Sequence, residues 1–348
     1  MTAPQETEQT TSPPGLDLAV LEDYLKERHP TMLAGHLRGR VIAGGKSNLT
    51  YDVTDGAGRW VVRRPPLGHV LTTAHDMGRE YTIMSALAGT AVPVPPTFDL
   101  CNDPEILGAP FYVMGWSDGA TYRWRDQLDP LGPERVQRIS RAMVSTLVDL
   151  HAVDYEACGL ADFGRPDGYL ERQVRRWDRQ LDSSRGRDLA GADELRQRLE
   201  AGVPSSSGSG IVHGDFRLDN LLVDEGDQVT AVLDWEMATL GDPLADVALM
   251  LAYDTLARHE HGQGIANAST ASGFLTQDEI LDIYSKASGR DVSDIGFHLG
   301  LAFFKLAVIL EGIHYRFTQG QTVGEGFELA GALVEPAIVA GLSSVKEQ

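Results

Sequence analysis

Residues 211–223, IVHGDFRLDNLLV, set five polar side chains (His213, Asp215, Arg217, Asp219 and Asn220) between two short apolar runs. A polar group taken out of water must find a partner, so packing alone does not account for the segment. The pattern fits two short strands holding a loop that presents its side chains for use. The next apolar run, VTAVLDW at 229–235, returns through the turn sequence DEGD, so a hairpin carries Asp234 back beside the loop. The fold must therefore bring Asp215, Asn220 and Asp234 into one neighbourhood.

Those three residues suggest a division of labour. An amide oxygen from Asn220 and a carboxylate from Asp234 make half of a site for a hard cation. Mg²⁺ takes few protein ligands and completes its octahedron with water and phosphate oxygens. Asp215 is then available to accept a proton from a hydroxyl nucleophile. HxDxxxxN followed by an apolar residue and Asp, with this spacing, is the layout of a kinase catalytic loop and its metal-binding Asp.

The first 115 residues carry a different pattern. Residues 17–28 place Leu18, Leu21 and Leu25 on one helical face. Segments 40–43, 50–54 and 59–64 read as strands, the last two joined by the hairpin turn DGAG. A helix is expected over 74–88, and two more strands at 97–101 and 110–114. The link GGKSN (44–48) offers Gly44 and Gly45 for close approach of backbone amides to phosphate, and Ser47 for a hydroxyl; an ordinary glycine-rich hairpin fits it equally well. On the 74–88 helix, Glu80 shares a face with Met77, Met84 and Leu87, and a carboxylate on an apolar face requires a cation. Arg63 at the end of the third strand is the expected partner and phosphate contact. Arg64 replaces it if the strand slips by one residue. The backbone of Met114 to Trp116 offers edges for an adenine, or else Trp116 is plain packing.

Beyond residue 115 the chain turns helical: 132–151 has an apolar stripe through Val136, Ile139, Met143, Leu147 and Leu150. Further helices are expected at 169–181, 243–253, 277–287, 293–317 and 324–341, with VPSSSGSG (203–210) as a flexible link. Formal net charge is −20, from 50 acids and 30 bases, which argues against a nucleic-acid partner. No run of about 18 apolar residues suggests a membrane span. The first 14 residues read as a disordered tail without the features of a secretory signal. Cys101 and Cys158 form no motif, and a reducing cytoplasm is the expected location. His259 and His261 lack a third ligand and are read as solvated. The late helix offers Lys305, Glu311, His314 and Arg316; Lys305 and Arg316 either receive an anionic acceptor or form salt bridges on a solvent face, and the latter is the expectation.

IVHGDFRLDN, VLDWEMATLGDPLADVA and the REY of the small-lobe helix resemble the aminoglycoside phosphotransferase and choline kinase-like family. RQVRRWDRQ (172–180), GGKSNLTY, VVRRPP and FFKLAVILEGIHYRF (303–317) are similar to the phosphotransferase domain of acyl-CoA dehydrogenase family proteins. The resemblance implies an α+β, bilobal protein-kinase-like fold, with a small antiparallel β lobe bearing one helix (15–115) and a larger, mostly helical lobe (116–348). It implies ATP and Mg²⁺ as cofactors, Asp215 as base, Asn220 and Asp234 as metal ligands, and structural roles for His213 and Asp246. Arg217 would steady the γ-phosphate or cap a nearby acid. Arg in place of the usual strand-three Lys departs from the family pattern; it keeps the charge but is bulkier. The implied acceptor is the hydroxyl of a small molecule, a hydroxyacyl-CoA type of metabolite. An aminoglycoside O-phosphotransferase and a non-catalytic nucleotide-binding module are the alternatives. The reading leaves room for a homodimer.

Overall fold

Strand and helix periods along the chain separate into two compact units, residues 1–88 with 94–117 and residues 89–93 with 118–348. The computed structural model describes residues 12–42, 48–67, 76–204, 208–321 and 327–345.

The first unit is built on five strands, β1 (Arg38–Val41), β2 (Leu49–Thr54), β3 (Arg59–Arg64), β4 (Thr97–Cys101) and β5 (Phe111–Gly115), in the order β1-β2-β3-β5-β4. All neighbours are antiparallel. The β2–β3 turn forms because Asp55 Oδ1 accepts from the amides of Ala57 and Gly58, while Gly56 adopts φ +93°, where a side chain is disfavoured. Helix α1 (Leu18–Arg28) starts at Asp17, whose carboxylate caps the amides of Ala19 and Val20. It buries Leu21 and Leu25 with Tyr51, Val53, Val62 and Phe111 of the sheet. Helix α2 (Met77–Leu87), capped by Asp76, buries Ile83, Met84 and Leu87, and with them Glu80. A single turn, α3 (Pro104–Leu107), links β4 to β5.

The second unit is mostly helical: α4 (Arg125–Leu128), α5 (Pro133–Ala152), α6 (Tyr169–Ser184), α7 (Ala192–Ala201), α8 (Leu244–Ala257), α9 (Gln277–Ser288), α10 (Gly296–Thr318) and α11 (Val334–Ser344). The five stripe residues of α5 are all buried. Two small ladders lie among the helices. β6 (Gly210–Val212) pairs with β9 (Thr239–Gly241), and β7 (Leu221–Val223) with β8 (Val229–Val232). Neither α7 nor β9 is anticipated from the sequence; three residues, TLG, are too few to show a period of two. The helix expected over 324–341 instead opens as a 3₁₀ segment (Phe327–Leu333) before α11.

α10 qualifies the hydropathy reading. It spans 23 residues with a mean hydropathy of 1.6 over its most apolar 18-residue window, enough to cross a membrane by length and composition. In the fold 72% of that window is buried, against α6, α7, α8 and α11. It is the central helix of the second unit.

Candidate functional site

The polar segment 213–220 leaves β6 and enters β7, so both ends are fixed by ladders. His213 is fully buried. Its Nδ1 accepts the Asp215 amide at 3.2 Å, so its Nε2–H donates to the Leu233 carbonyl at 2.9 Å. The ring lies 4.7 Å from that of Trp235. His213 thus braces the loop against the β8 hairpin and takes no exposed position.

Asp246, near the start of α8 and fully buried, holds the other side. Its carboxylate accepts the His213 amide at 2.7 Å and the Gly214 amide at 2.8 Å. His151 of α5 lies 3.3 Å away through Nε2, and its Nδ1 meets the Tyr284 hydroxyl of α9 at 2.7 Å. Burial raises the Asp246 pKa, but the hydrogen bond from His151, its charge and the backbone amides more than reverse this, leaving it below the usual value. Burial pushes the His151 pKa down. The loop is therefore tied to three helices through one carboxylate.

Gly214 has φ +84°, and a Cβ there would lie 2.9 Å from both Cβ and the carbonyl oxygen of Met237. A Gly214→Ala variant is expected to lose about 1–3 kcal/mol of stability from the forced backbone, with transfer activity falling further because Asp215 is displaced. A denaturant midpoint equal to wild type, with full activity, would contradict this.

Asp215 is partly exposed, its side chain 25% accessible. The Asn220 amide nitrogen donates to its carbonyl at 2.8 Å and to its Oδ2 at 3.1 Å. The Asn220 carbonyl accepts the Leu233 amide at 2.8 Å, which sets Asn220 beside Asp234. Asp234 takes φ +65°, ψ +62° at the start of a 3₁₀ turn. A non-glycine residue in that region is uncommon and marks local strain. The structure so brings Asp215, Asn220 and Asp234 together. The donor set fits Mg²⁺: the Asn220 side-chain nitrogen is turned to Asp215, which leaves the amide oxygen for the cation. With the Asp234 carboxylate this gives two hard oxygen donors and no sulfur or imidazole.

Arg217 is engaged with acids. Its Nη2 donates to Asp219 Oδ2 at 2.6 Å, its Nε lies 3.5 Å from Asp215 Oδ1, and the guanidinium sits 4.4 Å from the centre of the Tyr253 ring. Burial works against its charge, but Tyr253, Asp215, Asp219 and Asp234 raise its pKa overall. Burial raises the Asp219 pKa in spite of Arg217. Of the two roles expected of Arg217, the geometry displays acid capping. Asp219 and Tyr253 are additions to which the sequence reading gave no role; Asp219 was visible inside the motif, Tyr253 was not.

In the first unit Glu80 is 1% exposed. Asn48 donates to its Oε1 at 3.1 Å, Tyr112 to its Oε2 at 2.9 Å, and Arg63 Nε lies 3.3 Å from Oε2. Register explains the choice of arginine: Arg63 stands opposite Tyr112 across β3–β5, so both side chains project to the face of α2. Arg64 projects the other way and donates to the carbonyls of Gly15 and Leu107. Asn48 and Tyr112 also escaped the sequence reading. Gly44, Gly45 and Ser47 lie outside the described residues. Met114 is buried and paired on both sides, to Val61 of β3 and Thr97 of β4, so its backbone edges are covered by the sheet. The Trp116 amide donates to the Arg59 carbonyl at 3.3 Å, and the Arg59 guanidinium stacks on its ring at 3.3 Å. Of the backbone groups expected to read an adenine, the amides of Gly115 and Trp116 are thus engaged within the unit.

The late helix corrects a further expectation. Lys305 is not salt-bridged on a solvent face. Its Nζ donates to the Gly214 carbonyl at 2.7 Å and sits 5.6 Å from the centre of the Trp177 ring. Burial lowers its pKa to about 8 in spite of the fields of Asp215 and Asp246. Glu311 is buried and bound by Arg187 at 3.0 Å, His314 packs against Gly331, and Arg316 is exposed. His259 and His261 lie in a surface turn, and among the described residues no group of three or more His, Cys, Asp or Glu is placed to hold a metal by itself.

Comparison with known proteins adds a frame to this geometry. Residues 38–276 match the model of the phosphotransferase enzyme family. The chain is 37% identical over 319 residues to acyl-CoA dehydrogenase family member 10 of Mus musculus, covering 90% of this chain and 30% of that protein. It is 32% identical over 340 residues to acyl-CoA dehydrogenase family member 11 of Gallus gallus, covering 95% and 44%. The chain therefore spans less than half the length of these relatives. Among solved structures, a candidate aminoglycoside phosphotransferase from Ralstonia eutropha superposes with a TM-score of 0.84 at 31% identity, covering 95% of this chain and 99% of that one. An aminoglycoside phosphotransferase in ternary complex with AMP-PNP and hygromycin B superposes with a TM-score of 0.60 at 15% identity, covering 94% and 99%, a likeness of fold.

Proposed function

Because this chain belongs to the phosphotransferase enzyme family, we propose that it moves the γ-phosphate of ATP, bound with Mg²⁺, to the hydroxyl of a small molecule. Its fold is the α+β, kinase-like fold of the aminoglycoside phosphotransferases. The observation that carries the proposal is the coupled set Asp215, Asn220 and Asp234, in which one amide steadies the base with its nitrogen and offers its oxygen to a cation.

Asp215 accepts the hydroxyl proton as the acceptor oxygen forms its bond to phosphorus and the bond to the β-phosphate oxygen breaks, releasing ADP. Its partial exposure lets an acceptor reach it, and its hydrogen bonds fix its direction. Asn220 and Asp234 would hold Mg²⁺, which neutralises phosphate charge when bound. Arg63, fixed by buried Glu80, supplies a positive charge for nucleotide phosphates, with the forked geometry suited to two oxygens. Arg217, charged and close to Asp215, would answer charge on the transferred group once its hold on Asp219 is shared.

The names of the relatives favour a hydroxyl carried on an acyl-CoA as acceptor. The test is transfer of label from γ-³²P-ATP to 4-hydroxydecanoyl-CoA, run beside hygromycin B. Label in the CoA product supports the assignment; label only in hygromycin B moves the acceptor to aminoglycosides; label in neither, with no nucleotide bound, overturns the kinase. Asp234→Asn is expected to weaken Mg·ATP binding at least tenfold, about 1.4 kcal/mol, by calorimetry. Equal affinity would remove Asp234 from the metal.

A further inference from the structure

α6 has three faces. At about 100° per residue, Leu170, Val174, Trp177 and Leu181 point to the core, where all four are buried. Tyr169, Gln173 and Trp177 form the adjoining face, which lines an open recess together with Gly214, Asp246, His298, Leu301 and Lys305. Next to that face, within an arc of about 100° by the same count, come Arg172, Arg175, Arg176 and Arg179. Arg172 is turned back onto the carbonyls of Arg165 and Asp167. Arg175, Arg176 and Arg179 are exposed and make no ion pair with another described residue. The acids of the helix, Glu171, Asp178 and Asp182, fall on the opposite border of the arginine arc, away from the recess.

A row of exposed arginines without ion pairs, of which Arg176 lies 5.2 Å from the centre of the Trp177 ring, is out of character for a chain of net charge −20, where a solubilising surface is acidic. The recess combines apolar walls (Val212, Leu249, Leu301) and the Trp177 face with polar groups, among them the Asp246 carboxylate, already bound to backbone amides, and the Lys305 ammonium. Lys305 uses a single hydrogen bond among the described residues, to Gly214, and that carbonyl immediately precedes Asp215. A cation at this depth resists a polycationic ligand and suits a carbonyl or carboxylate oxygen. Both observations select the same chemistry, an acceptor with an apolar body, an oxygen function within, and negative charge outside.

We propose that this recess is the acceptor site and that Arg175, Arg176 and Arg179 at its border bind phosphate groups carried by the acceptor. The inference rests on the phosphotransferase reading for its catalytic consequence, though not for binding itself. Arginine suits phosphate because its fork meets two oxygens at once. The phosphates act as a handle, while Lys305 and Trp177 receive the segment next to the reacting hydroxyl.

The experiment compares wild type with the Arg175→Gln, Arg176→Gln, Arg179→Gln triple variant. All three side chains are exposed, so the variant is expected to fold, which thermal melting checks. Calorimetric titration with CoA alone should show binding to wild type that weakens at least tenfold in the variant and falls with added KCl. With label transfer from ATP, kcat/KM for 4-hydroxydecanoyl-CoA should exceed that for 4-hydroxydecanoyl-pantetheine, which lacks the nucleotide phosphates, by about tenfold or more. The triple variant should bring that ratio close to one, through KM. Failure of CoA to bind wild type, or equal CoA affinity in both proteins, overturns the proposal. CoA binding that depends on the arginines, without transfer to either thioester, upholds the binding site and removes acyl-CoA as the phosphate acceptor instead.

Discussion

Replacing Asp215 by Asn should lower phosphoryl transfer by about 10³-fold, within the 10²–10⁴ range for loss of a positioned general base, while leaving Mg·ATP affinity within about twofold. The amide keeps the size of the carboxylate and can still meet Asn220, so the loop geometry described around Gly214 and Asn220 survives. What disappears is the ability to take the hydroxyl proton. Asn220 and Asp234 remain, so the nucleotide complex should persist. Single-turnover label transfer separates this from a binding defect: the expected result is a slow chemical step at saturating ATP. Turnover at the wild-type rate would show that the proton leaves by another route and that Asp215 is not the base.

Asp246→Ala is expected to cost about 3–5 kcal/mol, the scale for breaking a buried charged network. The carboxylate serves His213 and Gly214 amides and His151 at once, and each would be left buried without its acceptor. Urea unfolding gives the number directly; a loss below about 1 kcal/mol, the worth of one ordinary hydrogen bond, would show that water replaces the carboxylate. The pH dependence has a defined sign. The folded pKa of Asp246 is depressed, so its contribution is complete above the unfolded value, about 3.9, and is lost as pH falls through the folded value. Wild type and variant should therefore converge in stability under strong acid.

Much of the site was legible because strand–loop–strand patterning in 211–235 leaves little freedom. Once β7 and β8 pair, Asn220 must lie by Leu233 and Asp234. Partners that are distant in sequence were not legible. His151 stands 95 positions from Asp246, and no local period connects them. The choice between Arg63 and Arg64 needed the β3 register, because one step reverses the face. Lys305 was misread for a related reason. α10 is buried around most of its circumference, so helical periodicity does not tell a pocket-lining lysine from a surface one. The basic arc of α6 was fully visible as RQVRRWDRQ, but its meaning depends on which face of the helix meets the recess.

Asn220 also makes the two halves of the catalytic loop responsive to each other. A carboxamide is a single conjugated dipole, and drawing electron density toward its oxygen leaves its N–H groups stronger donors. Any cation held at the Asn220 oxygen would thus tighten the grip of its nitrogen on Asp215. Proton acceptance and metal loading would share one set of electrons at this position, and only asparagine and glutamine carry a carbonyl oxygen and an N–H donor on one neutral conjugated group. Aspartate would repel the base, and leucine would sever the link. A loop built this way would register the arrival of a cation at the Asn220 oxygen.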